Sequence, residues 1–333
     1  MSSTATGIGF GRVCLLGDHC DWAQRQVLAS SIDRRIVTDA SPAKGDSVSI
    51  SITNSAHGTS DSAEFDLQGA RELPLADSSL KYVNAVAVAI MERGLALRGA
   101  ELDIRSNVPM KKGLSSSAAL CISTARAFSS LFSLGLSSDD AIRISYRAEN
   151  GLLGIGCGMM DQTAAAYENP LFIDFHDRFE YREITMNRPL PMVIAATGGE
   201  RDTKLILNSL NHHYFDEEDP LIVRTLGNDI PELVRRARAE MEGRCRLEVI
   251  GELMDQNQSC YDKGLRPFCP EELDTPLLYR ALELAHEGGA LGAKWTGAGG
   301  EGSIIALARD RESCSLLADT LGERFSSMTA FVG

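Results

Sequence analysis

The sequence predicts an α+β protein of two domains, and three observations carry that expectation. The chain has 333 residues, and at about 100–200 residues per domain that length suggests two. Strand-like segments come early, up to Ile104, and helical periodicity follows them. That order favours an α+β half over a doubly wound sheet. A fresh apolar strand then opens at Met192–Ala196, and the chain closes on a strand, a helix and a strand. The domain boundary is placed near residue 186, giving domains 1–186 and 187–333.

Taken in order, Gly11–Leu16 is an apolar run that reads as a strand delivering a polar turn, Gly17-Asp18-His19-Cys20-Asp21. Val48, Ile50 and Ile52 alternate with serines, the period of a strand with one buried face. Leu102 and Ile104 repeat that signal ahead of Asn107-Val108-Pro109. A helix is expected to begin at Ser115–Ser117 and to run through Ala118, Ala119, Leu120, Ala125, Phe128 and Leu131, with Gly135 ending it. Ser137 followed by Asp140 has the spacing of a capping box and predicts a second helix to about Leu153. The acidic, aromatic stretch from Asn211 to Pro220 reads as a loop. Helical periodicity returns over 230–254 and 277–288. The segment from Leu291 to Gly302 reads as a glycine-rich loop before a strand at Ser303–Ala308, a helix around Ser313–Phe325 and a strand near Met328–Val332.

Composition narrows the function. Hydrophobic residues make up 44% and charged residues 24%, the profile of a soluble globular protein. The net charge of −13 argues against nucleic-acid or acidic-membrane partners, which need a basic face. No C-x-x-C pair occurs among the eight cysteines, so neither a zinc knuckle nor a thioredoxin-like site is expected. Free thiols suit a reducing cytosol. The start of the chain lacks the pattern of a signal peptide, and no apolar run approaches membrane length. A cytoplasmic location is expected.

Three stretches carry chemistry. In Val108-Pro109-Met110-Lys111-Lys112-Gly113-Leu114-Ser115-Ser116-Ser117-Ala118-Ala119, a glycine turn and small hydroxyl residues open an alanine-rich helix. Free N–H groups at a helix start and the positive end of its dipole make an anion site. The order is not that of a Walker A loop. Gly11-Arg12-Val13-Cys14-Leu15-Leu16-Gly17-Asp18-His19-Cys20-Asp21-Trp22 brings a cation, two carboxylates and an imidazole into one turn, a set suited to binding hydroxyl groups. Leu291-Gly292-Ala293-Lys294-Trp295-Thr296-Gly297-Ala298-Gly299-Gly300-Glu301-Gly302 is dense enough in glycine to pack closely on a ligand. Singly, a serine-capped helix, a salt-bridged surface turn and an ordinary glycine loop would account for them. Their joint occurrence is what matters.

In this order the three segments resemble the three motifs of the GHMP kinases (galacto-, homoserine, mevalonate and phosphomevalonate kinases), over nearly the whole chain from Gly11 to Ile305. The first stretch is similar to the family's Pro-x-x-x-Gly-Leu-(Gly/Ser)-Ser-Ser-Ala phosphate loop. The galactokinase branch is the most similar. Gly11 to Asp21 resembles its G-R-V-N-L-I-G-E-H-T-D-Y signature, Gly158-Met159-Met160-Asp161-Gln162 its G-I-M-D-Q, and Lys81-Tyr82-Val83 its N-Y-V segment. Glu149 stands twelve residues before Asp161, as the metal-binding glutamate does there.

The resemblance implies a ribosomal protein S5 domain 2-like N-terminal half and a ferredoxin-like C-terminal half. It implies an ATP- and Mg²⁺-dependent sugar kinase acting on an anomeric hydroxyl, with Asp161 and Arg12 as catalytic residues. Asp18, His19 and Asp21 would bind sugar hydroxyls. Gly113, Leu114, Ser115, Ser116, Ser117 and Ala118 would cradle the ATP phosphates. Ser116 and Glu149 would hold Mg²⁺, and Gly297, Gly299 and Gly300 would help close the site. Asp18 stands where the signature has glutamate, Cys20 where it has threonine and Trp22 where it has tyrosine. An aspartate is shorter by one methylene, which leaves galactose and a C6-extended aldose such as a heptose or octose both open. Two other readings remain beside this one: a mevalonate- or homoserine-type kinase, and a non-catalytic sugar sensor.

Overall fold

Alternation of buried and exposed residues marks strands of the first half, while the later strands Leu190–Ala196, Gly292–Thr296 and Ser303–Leu307 are buried on both faces. The computed structural model describes residues 4–70, 80–110, 112–199 and 202–333. In chain order its elements are β1 (Ala5–Leu16), β2 (Val27–Pro42), β3 (Ser47–Asn54), β4 (Thr59–Asp66), α1 (Lys81–Glu92), β5 (Ala100–Ser106), α2 (Ser116–Leu131) and α3 (Ser138–Tyr146). After α3 come a π-helical turn (Arg147–Leu152), α4 (Met160–Ala165), β6 (Leu171–Asp174), β7 (Glu180–Glu183) and β8 (Leu190–Ala196). Helices α5 (Thr203–Asn211), α6 (Pro220–Arg224), α7 (Ile230–Glu242), α8 (Leu247–Gly264), α9 (Pro270–Leu273) and α10 (Pro276–Glu287) follow, and the chain closes with β9 (Gly292–Thr296), β10 (Ser303–Leu307), α11 (Arg311–Gly322) and β11 (Ser326–Val332).

The chain divides into two compact units, and neither is a single stretch. One holds residues 1–11, 33–110 and 115–167; the other holds 12–32, 111–114 and 168–333.

In the first unit, β3 pairs antiparallel with β4 and parallel with β5, and β5 pairs antiparallel with the Ile36–Pro42 part of β2. Helix α1 buries Val83 through Ile90, and α2 buries Ala118 through Ala125 together with Ala127 and Phe128. Small residues on α2 let β1 come down onto its backbone. A Cβ on Gly9 would stand 2.0 Å from the Ala119 carbonyl oxygen, and one on Gly7 would stand 2.0 Å from that of Ser123. No side chain fits at either position. Arg126 ties the same layer together, donating to the carbonyls of Ile8 at 2.8 Å and Ala166 at 2.6 Å. The expected capping box of α3 is present. The Asp140 N–H donates to Ser137 Oγ at 3.1 Å, and the Ser137 N–H donates to Asp140 Oδ2 at 3.0 Å.

In the second unit, β8 to β11 form a sheet of order β11-β8-β10-β9 in which each neighbouring pair is antiparallel. Numbered along the chain this is 4-1-3-2, with helices between the first and second strands and between the third and fourth. That is the βαββαβ arrangement of a ferredoxin-like fold, as expected. In the same unit Val27–Ala29 of β2 pairs with β6, which pairs with β7.

Three expectations need correction. The stretch from Asn211 to Pro220 is not a loop, because α5 continues into a π-helical turn, His212–Asp216. Pairs at i,i+4, His212 with Asp216 and His213 with Glu217, supply the helical surface with partners that its composition hid. The periodicity over 230–254 belongs to two helices. The break falls at Gly243–Cys245, where Cys245 adopts φ 51° and Arg246 grips Glu240 at 2.7 Å. Finally, the first half of the expected glycine loop is the buried strand β9. Among the described residues no helix is long and apolar enough to cross a membrane.

Candidate active site

The phosphate-loop segment ends in an unusual helix start. Gly113 has φ 72°, and the N-cap residue of α2, Ser115, is itself left-handed at φ 55°, ψ 42° with no side-chain capping bond. An N-cap serine ordinarily bonds a first-turn N–H of its helix. Here Ser115 Oγ turns away and donates to Asp161 Oδ2 at 2.5 Å. The first-turn N–H groups of α2 have no intrahelical acceptor by geometry, and the serine that could have served them is engaged elsewhere. The result is a 16-residue helix whose N-cap side chain leaves the first-turn N–H groups unserved, at the end where a helix favours an anion.

Asp161 sits at the start of α4, in the same unit as Ser115. Glu149 lies on the π-helical turn after α3 and is buried. Gln162, next to Asp161, donates from Nε2 to Glu149 Oε2 at 2.6 Å. Tyr82 closes this group. Burial, and then the nearby Glu149 carboxylate, push its phenol up to about 12, so it stays protonated at neutral pH. The resemblance implies Glu149 and Ser116, the first residue of α2, as magnesium ligands. Among the described residues no group of three or more His, Cys, Asp or Glu side chains could hold a metal ion. That donor set fits a magnesium ion held by one carboxylate, a hydroxyl and the oxygens of a polyphosphate, the usual manner for this ion.

In the second unit Arg12 is buried, 4% exposed. It braces the start of the phosphate loop, with Nη1 donating to the Gly113 carbonyl at 2.6 Å and its N–H to the Leu114 carbonyl at 3.0 Å. Lys111, part of the first motif, lies outside the described residues.

Asp18 and His19, expected to bind hydroxyls, are held here by groups of their own unit. Asp18 is 1% exposed. Its Oδ2 accepts from Lys294 Nζ at 2.6 Å and from the Tyr261 hydroxyl at 2.8 Å, and its Oδ1 accepts from the Gly297 N–H at 2.5 Å. His19 is also buried, with φ 68°. Its Nδ1 accepts from the Trp22 indole at 3.2 Å, and its Nε2 lies 3.2 Å from the Ala298 carbonyl. Both side chains join the turn to the glycine loop. Asp21, 7% exposed, shares the turn. Gly297, Gly299 and Gly300 all have positive φ, at 85°, 84° and 64°, which explains the glycines there.

Sequence reasoning missed Lys294, Tyr261 and Trp295. Lys294 is 0% exposed, and Tyr261 stacks on Trp295 with centroids 4.6 Å apart and planes 2° from parallel. The available signal was a lysine inside an otherwise apolar strand pattern. A buried ammonium needs an anion, and the nearest candidate, Asp18, lies 276 residues away.

Comparison with known proteins follows these features. Models of the GHMP kinases N terminal domain and the GHMP kinases C terminal domain match residues 81–169 and 244–327. A mevalonate kinase from Thermococcus sibiricus is 31% identical over 238 residues, covering 70% of this chain and 67% of that protein. A galactokinase from Thermococcus kodakarensis is 29% identical over 332 residues, covering 92% of this chain and 90% of that protein. The crystal structure of Lactococcus lactis galactokinase complexed with galactose superposes with a TM-score of 0.81 at 21% identity, covering 99% of this chain and 94% of that one. The chain belongs to the GHMP kinase family, and its fold is the two-domain α+β architecture of that family.

Proposed function

We propose that this protein is an ATP-dependent sugar kinase that transfers the γ-phosphoryl group to the anomeric hydroxyl of galactose or a related aldose. The observation that carries the reading is the N-terminus of α2, with its left-handed serine turned onto Asp161. It sets an anion site and a carboxylate on the two sides of one residue. Two facts favour a galactokinase-like acceptor over mevalonate. The galactokinase match extends over 92% of the chain against 70% for the mevalonate kinase, and the Gly11–Asp21 segment resembles the galactokinase signature.

In this reading Gly113 to Ala118 hold the ATP phosphates through backbone N–H groups. Ser116 and Glu149 hold Mg²⁺, which supplies charge neutralisation on the phosphates when bound. Asp161 takes or orients the proton of the attacking hydroxyl. The oxygen–phosphorus bond to the sugar forms as the bond to the ADP oxygen breaks, giving a sugar 1-phosphate and ADP. Ser115 fixes the Asp161 carboxylate, Arg12 supplies positive charge for the transferring group, and Asp21 contacts the acceptor. We place the boundary between the two family domains near residue 186, between β7 and β8, while the two compact units of the fold alternate along the sequence before it.

A coupled assay of ADP release against a panel of aldoses, mevalonate and homoserine tests the reading. Galactose or a C6-extended aldose should stimulate release. Stimulation by mevalonate alone would move the protein to the other branch. No stimulated release, with sugar binding retained, would make it a sensor.

A further inference from the structure

Among the described residues strand β9 pairs only with β10, at the edge of its sheet, so every second N–H points away from the sheet. Those N–H groups meet side chains. Ala293 donates to Asp255 at 2.8 Å, Trp295 to Gln258 at 3.0 Å, and Gly297 to Asp18 at 2.5 Å. The last of these reaches into the glycine loop. Behind it the Lys294 ammonium uses its three donors on the Cys14 carbonyl at 3.2 Å, Asp18 at 2.6 Å and the Trp295 carbonyl at 2.5 Å. One residue further on, a second tie repeats the pattern. An indole N–H can only donate, so Trp22 fixes Nδ1 of His19 as the acceptor. The ring proton then sits on Nε2 and donates to the Ala298 carbonyl. Trp22 is held in turn by Tyr214 and Phe215, with ring centroids at 5.7 and 6.1 Å.

We propose that these two ties, Lys294–Asp18–Gly297 and Trp22–His19–Ala298, clamp the turn 17–22 onto the loop 297–300, and that Lys294 and Trp22 are positioning residues of the acceptor site. The inference rests on the reading that this turn and loop serve the sugar. A loop with three glycines at positive φ loses much freedom when ordered. Ordering it in advance lowers the cost of binding the acceptor. Asp18 and His19 then act by setting the loop.

The test uses the full chain with Trp22→Phe, which keeps the ring against Tyr214 and removes only the donor, and Lys294→Met beside Lys294→Arg. Three quantities are read: hydrogen–deuterium exchange of the 297–300 amides, KM for the acceptor aldose, and Kd for a non-hydrolysable ATP analogue. Trp22→Phe should raise KM by about tenfold, the scale of one lost hydrogen bond, speed exchange in the loop, and leave the analogue Kd within about twofold. Lys294→Met should do the same more strongly, and Lys294→Arg should recover part of the loss. Unchanged loop exchange in Trp22→Phe and Lys294→Met overturns the clamp, whatever the activity. So does faster exchange with an unchanged acceptor KM in an active enzyme. A wild-type enzyme that no aldose stimulates removes the sugar-kinase reading, and the exchange measurement still decides the clamp.

Discussion

Asp161 and Asp18 are the same residue type in the two units, and they meet opposite surroundings. Asp161 is half-buried at the start of a short helix and takes a serine hydroxyl. Asp18 is 1% exposed and takes an ammonium, a phenol and a backbone N–H. A carboxylate that is to exchange a proton with a ligand needs room for that ligand. A carboxylate that already accepts from an ammonium, a phenol and a backbone N–H is held in one orientation by its own unit. The comparison teaches that the residue type in a motif leaves its role open, and that the donors the fold brings to it decide between chemistry and scaffolding.

The strongest way to break that comparison is to unpair the scaffold aspartate. Lys294→Met leaves a buried carboxylate without its cation, and breaking a buried pair costs about 3–5 kcal/mol. Chemical denaturation of the full chain should show that loss, whereas a change below about 1 kcal/mol would mean that Asp18 is not a buried anion in solution. Asp161→Asn is the counterpart. It should lower turnover by at least about a hundredfold, the scale of a positioned acid–base group, while the denaturation midpoint stays close to wild type. Normal turnover in that variant would take Asp161 out of the reaction.

Glu149→Gln sharpens the comparison on the metal side. A hard cation loses an anionic oxygen, so the Mg²⁺ concentration for half-maximal rate should rise severalfold. An unchanged magnesium dependence would make Glu149 a structural partner of Gln162. The smallest effect is a control in the same unit, away from the site. The Asp140 carboxyl is held down to about 2 by bonds from Ser137 and then by Arg93. A carboxyl whose folded value lies below its unfolded one adds stability above about pH 4, and that stability is lost as the pH falls through about 2. Asp140→Ala should therefore cost about 1 kcal/mol at neutral pH, nothing well below pH 2, and should leave turnover at neutral pH unchanged. A loss of turnover equal to that of Asp161→Asn would mean that the unit's stability, not its chemistry, is being read.

Local signals were the legible ones. The serine-rich start of α2 and the Ser137–Asp140 box each lie within a few residues, and the structure has both helices there. The ferredoxin-like order of the closing sheet also matched, through resemblance more than through periodicity. What stayed hidden depends on long-range partners. Nothing near Lys294 in the sequence names its partner, because Asp18 lies 276 residues away, and β9 reads as loop because Gly292, Ala293 and Lys294 are poor strand formers rescued by burial and by α8 side chains. The turn of Ser115 toward Asp161, 46 residues away, has no sequence signature, since an N-cap serine ordinarily faces its own helix.

The most direct measurement sets Asp161→Asn beside Asp18→Asn in one experiment, reading the thermal midpoint and the aldose-stimulated rate of ADP release for each. Asp161→Asn should melt near wild type with its rate nearly abolished, and Asp18→Asn should melt several degrees lower, at about 2–4 °C per kcal/mol lost for a unit of this size. The opposite pattern, with Asp18→Asn melting like wild type yet inactive and Asp161→Asn unstable yet active below its midpoint, would contradict the division between a chemical and a structural carboxylate.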